Sequence, residues 1–175
     1  MAVMLSVVIP LFNEEDNIAP LQAELATALA GREYELVLVD DCSTDKTLER
    51  IERGPNVRVI AFAKNTGQSA AMYVGCNAAK GDIIVLLDGD RQNDPNDIPL
   101  MLAKLEEGYD LVCGWRVKRQ DNWSRKSAAA SRTSSAAGSR ATASTIPVAR
   151  SKSCGPCAGN RCSFSAGCTA LSPRS

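Results

Sequence analysis

The 175-residue chain contains no histidine, which excludes every mechanism that needs an imidazole base. No segment approaches the roughly 20 consecutive apolar residues of a membrane span. The apolar run Val7–Phe12 is too short for a signal peptide and meets Asn13-Glu14-Glu15-Asp16 at once. A G-x-G-x-x-G fingerprint is missing after the first apolar run, which argues against an NAD-binding oxidoreductase, and no Walker A sequence occurs. Aromatic residues supply only 5% of the chain against 45% hydrophobic residues overall, enough for the core of one ordinary domain. Acidic residues are absent from residues 127–175, which carry 6 Lys and Arg. Residues 1–126 hold all 20 acids against 14 bases, a balance of 14 − 20 = −6. A chain so divided is not uniformly basic, and nucleic acid is not its expected partner. Cys42, Cys76 and Cys113 are scattered, as reduced thiols of a cytoplasmic protein would be.

What is present is an alternation of apolar runs and helical patterns. Leu5–Leu11 is continuously apolar, as a buried parallel strand should be. Asp16 can cap a helix in which Ile18, Leu21, Leu25 and Leu29 recur at helical spacing, ending at Gly31. Tyr34–Val39 reads as a second strand, and Ser43-Thr44-Asp45 opens a short helix through Ile51. A third strand is expected over Val57–Ala63, a helix over Ser69–Ala79 and a fourth strand over Asp82–Leu87. Pro95–Glu107 reads as a helix and Asp110–Gly114 as a fifth strand. The pattern predicts an α/β fold with a mostly parallel sheet, right-handed crossovers and helices on both faces. Ligands of such sheets bind at the carboxyl ends of the strands. That rule gathers Pro10–Glu15, Asp40–Thr44, Lys64–Gln68 and Asp88–Gln92 along one edge.

Within LLDGDRQNDP, Asp88 and Asp90 are two residues apart and point the same way if the strand end is extended. Two carboxylates with the Gln92 amide make a hard oxygen site suited to Mg²⁺ or Mn²⁺, with diphosphate oxygens completing the shell. One D-x-D among 11 Asp is expected about once by chance, so the argument rests on its place after a buried strand. Asp40-Asp41 stands where a carboxylate accepts hydrogen bonds from a ribose or base; the alternative is a helix N-cap, a role that Ser43 or Thr44 could fill instead. Lys64-Asn65-Thr66-Gly67 could be a plain turn, and Arg116 and Arg125 could neutralise phosphates or face solvent.

Five stretches in order (LSVVIPLFNEEDNI, ELVLVDDCSTDKT, AKNTGQSAAMYVG, GDIIVLLDGDRQNDP and YDLVCGWRVKRQDNWSRK) resemble the family-2 glycosyltransferases of GT-A fold. Within them, the similarity is to the polyprenyl-phosphate branch typified by dolichyl-phosphate mannose synthase, over residues 4–126. The resemblance implies a Rossmann-like nucleotide-diphospho-sugar transferase fold. It also implies sugar transfer from a GDP- or UDP-linked donor to a polyprenyl phosphate, with inversion and a divalent cation. By position, Pro10, Phe12 and Glu14 match residues that hold base and ribose, and Val39 and Asp41 match base contacts. Asp88, Gly89, Asp90 and Gln92 match the metal and diphosphate motif, with Arg91 where Leu is usual. Arg116 and Arg125 match the basic positions that grip the donor diphosphate and lipid phosphate. The expected location is cytoplasmic, at most peripheral to the inner face of a membrane. A haloacid dehalogenase-type phosphatase is the competing reading of the D-x-D, although there the motif follows the first strand.

Residues 127–175 hold 12 Ser and 11 Ala among 49 and show no helical period or strand alternation. Cys154, Cys157, Cys162 and Cys168 lack good zinc spacing. If Ser, Arg and Ala are TCN, CGN and GCN codons, a shifted frame admits I-A-N-x-x-R-S-R-L-T-R-D-G-I-H-D-T-G-C-S-L-K across residues 127–152. That stretch resembles what the family carries next. The expectation is a donor-binding catalytic half over 1–126, then a frameshifted, disordered tail that leaves a weak or inactive enzyme, or a nucleotide-sugar-binding remnant.

Overall fold

The computed structural model describes residues 4–114 and 146–150. Strand β1 (Leu5–Leu11) leads to helix α1 (Ile18–Ala28), strand β2 (Tyr34–Asp40) and the short helix α2 (Thr47–Arg50). Strand β3 (Val57–Ala61), helix α3 (Gln68–Ala78) and strand β4 (Ile83–Leu86) follow. A single 3₁₀ turn (Pro95–Asp97) precedes helix α4 (Ile98–Glu106), strand β5 (Leu111–Cys113) and strand β6 (Pro147–Arg150). The six strands form one sheet in the order β3-β2-β1-β4-β6-β5. β1 pairs in parallel with both β2 and β4, with Leu5 opposite Tyr34 and Ile83, and β2 pairs in parallel with β3.

Central strands covered on both faces carry apolar residues at every position, which is why β1 is buried along its whole length. Alternate residues divide between two cores. Leu5, Val7, Ile9 and Leu11 join Leu36, Leu38, Val85 and the inner sides of α1 and α4. Val8, Val37, Val39 and Leu86 meet Ala71 of α3 on the other face. α3 approaches so closely that a Cβ on Gly75 would lie 2.3 Å from Val8 Cγ1, so only glycine permits this contact. At the amino ends of the strands, Ser6 Oγ donates to Glu35 Oε1 at 2.7 Å and Lys80 N donates to the same oxygen at 2.6 Å. That buried clamp lies at the opposite end of the strands from the loops where a ligand is expected.

The predicted elements appear with small boundary shifts. α1 begins after Asn17 and not at Asp16, whose carboxylate instead pairs with Arg50 at 2.7 Å. The helix after the second strand shrinks to one turn, Thr47–Arg50, with the Asp45 carboxylate accepting from Thr47 N at its start. The largest departure lies in the segment expected to be without structure. Residues 147–150 form β6, inserted antiparallel between β4 and β5. Ile146 and Val148 are buried there, so this short piece does alternate as a strand with one covered face. The rest of the tail expectation, including the four distal cysteines, lies outside the described residues.

Candidate functional site

The carboxyl ends of β1, β2, β3 and β4 each run into a loop, and hydrogen bonds tie each loop to the next. From the first loop, Asn13 N donates to Ser43 Oγ at 3.0 Å, and Thr44 N donates back to Asn13 Oδ1 at 2.8 Å. Glu14 N donates to Thr47 Oγ1 at 2.8 Å, and Glu15 N to Asp45 Oδ2 at 3.2 Å. The second loop holds the third through Asp41, whose two carboxylate oxygens accept from Thr66 N at 2.6 Å and Gly67 N at 2.7 Å. The third loop reaches the fourth when Gln68 Nε2 donates to Asp88 Oδ1 at 2.7 Å.

Packing closes the circuit between the fourth loop and the first. A Cβ on Gly89 would fall 2.8 Å from Leu11 Cδ2, 3.3 Å from Pro10 O and 3.4 Å from Glu14 Cγ. Glycine is therefore what lets the D-x-D turn lie against the end of β1. Among the described residues, three non-glycine residues adopt left-handed backbone, and all three belong to these loops: Asn13 (φ 56°), Cys42 (φ 63°) and Arg91 (φ 55°). Backbone strain of this kind persists where surrounding contacts over-determine it.

Each expected site residue has a definite place. Pro10 is buried in β1, Phe12 is 47% exposed just beyond it, and Glu14 is half-buried. Glu14 also accepts from Asn17 Nδ2 at 2.6 Å. Val39 commits its side chain to the core beside Val8 and Ala71, so only its main chain can face a ligand. Asp40 and Asp41 are both buried and, being consecutive in an extended segment, turn to opposite faces. Asp40 Oδ2 accepts from Ser43 N at 3.1 Å, while its buried Oδ1 has no hydrogen-bond partner among the described residues. Asp41 is the cap-like contact described above.

Asp88 and Asp90 both lie in the loop after β4, but not as an extended strand end. β4 stops at Leu86, and Gly89-Asp90 form a turn in which Asp90 Oδ1 accepts from Gln92 N at 3.0 Å. Among the described residues, no three Asp, Glu or Cys side chains form a ready-made cation cage. A pair of half-buried carboxylates whose neighbour is an amide still suits a hard divalent cation that takes its remaining oxygens from a ligand. Gln92 is exposed at this turn, and Arg116 and Arg125 lie outside the described residues.

The pKa of Asp45 is displaced below its ordinary value. Burial pushes it up, but hydrogen bonds from the Thr47 side chain and from the Thr47 and Glu15 backbones outweigh burial and hold it below its ordinary value. Sequence reasoning did not single out Asn13, Thr47, Gln68 or Glu24, which bind the loops to one another and to α1. Most of their partners are distant in sequence, and the only local signal was that Asn13, Thr47 and Gln68 lie in or beside a loop at the strands' carboxyl edge, while Glu24 sits mid-helix in α1.

Residues 6–166 match the model of a protein family described as glycosyl transferase family 2. The match runs beyond residue 126 and takes in β6. Among curated proteins, the chain is 44% identical over 125 residues to dodecaprenyl-phosphate galacturonate synthase of Rhizobium johnstonii, covering 67% of this chain and 37% of that protein. It is 42% identical over 130 residues to undecaprenyl-phosphate 4-deoxy-4-formamido-L-arabinose transferase of Proteus mirabilis, covering 70% and 40%. Among solved structures, glucosyl-3-phosphoglycerate synthase from Mycobacterium tuberculosis, in complex with Mn²⁺, uridine diphosphate and phosphoglyceric acid, superposes with a TM-score of 0.53. It is 28% identical, with 62% of this chain and 42% of that one covered. The chain thus spans 37–40% of the length of these curated relatives.

Proposed function

Because this chain belongs to glycosyl transferase family 2, we propose that it takes a sugar from a nucleotide-diphosphate donor and passes it to a polyprenyl phosphate, with inversion. The observation that carries this reading is the placement of Asp88 and Asp90 in the linked loops at the carboxyl ends of the parallel strands. Both curated relatives described above are named for sugar attachment to a polyprenyl phosphate. The family assignment sets aside the dehalogenase alternative, and so does the position of the motif after β4.

In this reading Pro10, Phe12, Glu14, Asp41 and the main chain of Val39 receive the base and ribose. Asp88 and Asp90, with Gln92, hold Mg²⁺ or Mn²⁺, and Gly89 keeps their turn close to β1. A bound cation supplies Lewis-acid stabilisation to the departing nucleoside diphosphate. Arg116 and Arg125 neutralise the donor diphosphate and the lipid phosphate. The acceptor phosphate is already an anion, so it attacks without a base, which agrees with the absence of histidine. Among the described residues no helix is long and apolar enough to cross a membrane, so these residues would meet the lipid from the membrane surface.

The change in composition after Lys126 favours a second reading, a nucleotide-sugar-binding remnant that follows a frameshift near Ser127. Calorimetry with UDP- and GDP-sugars plus Mn²⁺, with Asp90→Ala as control, tests both readings together. Absence of metal-dependent nucleotide binding sinks them both, and product formation with a polyprenyl phosphate separates them. Resequencing across codons 120–135 tests the frameshift, and an intact frame in independent reads refutes it.

A further inference from the structure

Arg91 occupies the turn between Asp90 and Gln92 in left-handed backbone, at φ 55°. Its Nη2 donates to Glu24 Oε1 in an ion pair that reaches from the D-x-D turn to α1. α1 lies alongside the Pro95–Asp97 turn that follows the motif, so Glu24 approaches from outside the linked loops. The two side chains are 39% and 36% exposed, and an ion pair this open to solvent adds little to stability. Its effect is on where the charge of Arg91 sits. A guanidinium offers five donors in a fork that fits a carboxylate well, and the residue next to Arg91 is Asp90. Asp90 commits Oδ1 to Gln92 N at 3.0 Å, and its carboxylate, one residue away in sequence, is an alternative acceptor for the guanidinium.

We propose that Glu24 is a positioning residue for the divalent-cation site: by holding Arg91 on α1 it prevents the guanidinium from occupying Asp88 and Asp90 in place of the cation. The inference rests on the reading of the D-x-D pair as the cation site. It adds that the site depends on a carboxylate that never touches the cation. Without Glu24, Arg91 becomes an intramolecular competitor. Without Arg91, Glu24 has nothing to restrain.

The test is a double-mutant cycle on the full chain. Mn²⁺ is titrated calorimetrically at saturating UDP, and again at saturating GDP, for wild type, Glu24→Gln, Arg91→Leu and the double variant. The Mn²⁺ midpoint of Glu24→Gln is expected to rise about three- to tenfold, the scale of one partly screened charge contact. Arg91→Leu stays within about twofold of wild type, and the double variant returns to the Arg91→Leu value, a rescue of the Glu24→Gln defect that loss of a merely structural contact would not give. Thermal midpoints of all four are expected to agree closely. The proposal is overturned by an unchanged Glu24→Gln midpoint, or by an Arg91→Leu defect as large as that of Glu24→Gln. A double variant no better than Glu24→Gln overturns it too. If wild type itself shows no Mn²⁺-dependent nucleotide binding, the D-x-D reading falls and takes this proposal with it. Normal wild-type binding with an undisturbed cycle refutes the proposal alone.

Discussion

Asp41 Oδ2 accepts the backbone N–H of Gly67 at 2.7 Å, which fastens the end of β2 to the residue that caps α3. The other oxygen accepts Thr66 N at 2.6 Å, and the residue is buried. A carboxylate can accept two backbone donors at once. An amide cannot, because its NH₂ would face an N–H. Asp41→Asn is therefore expected to cost about 1–3 kcal/mol through one buried, unsatisfied donor. Urea unfolding of the two chains measures this, and equal midpoints would contradict the assigned contacts.

Gln68 Nε2 holds Asp88 Oδ1 at 2.7 Å from the first turn of α3. Partners of this kind orient metal-binding carboxylates without touching the metal, and their removal typically weakens metal affinity roughly 10–100-fold. Because Gln68 is exposed, Gln68→Ala is expected at the lower end of that range, with unfolding little changed. A Mn²⁺ titration in the presence of nucleotide reads the first effect and a thermal melt the second.

The depressed pKa of Asp45 has a directional consequence. A carboxyl held below its ordinary 3.8 stabilises the fold above that value, and the contribution disappears as pH falls through the lower, folded-state value. Thr47→Val removes the hydroxyl donor and lets the Asp45 pKa rise. The variant also loses the Glu14 N contact, which is a loss independent of pH. The stability gap between the two chains should therefore be constant near neutrality and narrow as pH drops below 3.8. Urea midpoints measured across that interval check it, and a gap that widens on acidification has the wrong sign.

The parallel strands were legible because burial on both faces writes them as continuous apolar runs, of which Leu5–Leu11 is the clearest. The edge of the sheet was legible for the same reason: Asp40, Asp41 and Asp88 interrupt those runs where the strands end. Local patterning says less about the turn after β4. Alternation placed Asp88 and Asp90 on one side, yet the chain leaves extended geometry after Leu86. The contacts that set the loops also escape a local reading. Gln68–Asp88 spans 20 positions and Glu24–Arg91 spans 67, so neither pair has a periodic signature.

β6 escaped because its four residues begin with proline and sit in Ser/Ala-rich sequence, yet its packing leads to a decisive prediction. Val148 is fully buried between β4 and β5, opposite Val85 on one side and Val112 on the other. Placing a carboxylate there removes apolar burial and adds an unpaired charge, costs that together reach several kcal/mol. Val148→Asp should lower the urea midpoint sharply, while a substitution at Thr142, outside the described residues, serves as a control for altering the tail. If residues 127–175 were an out-of-frame tail with no place in the sheet, Val148→Asp would unfold at the same midpoint as its parent. The comparison therefore decides whether the sheet that carries Asp88 and Asp90 is extended by this segment or ends at β4.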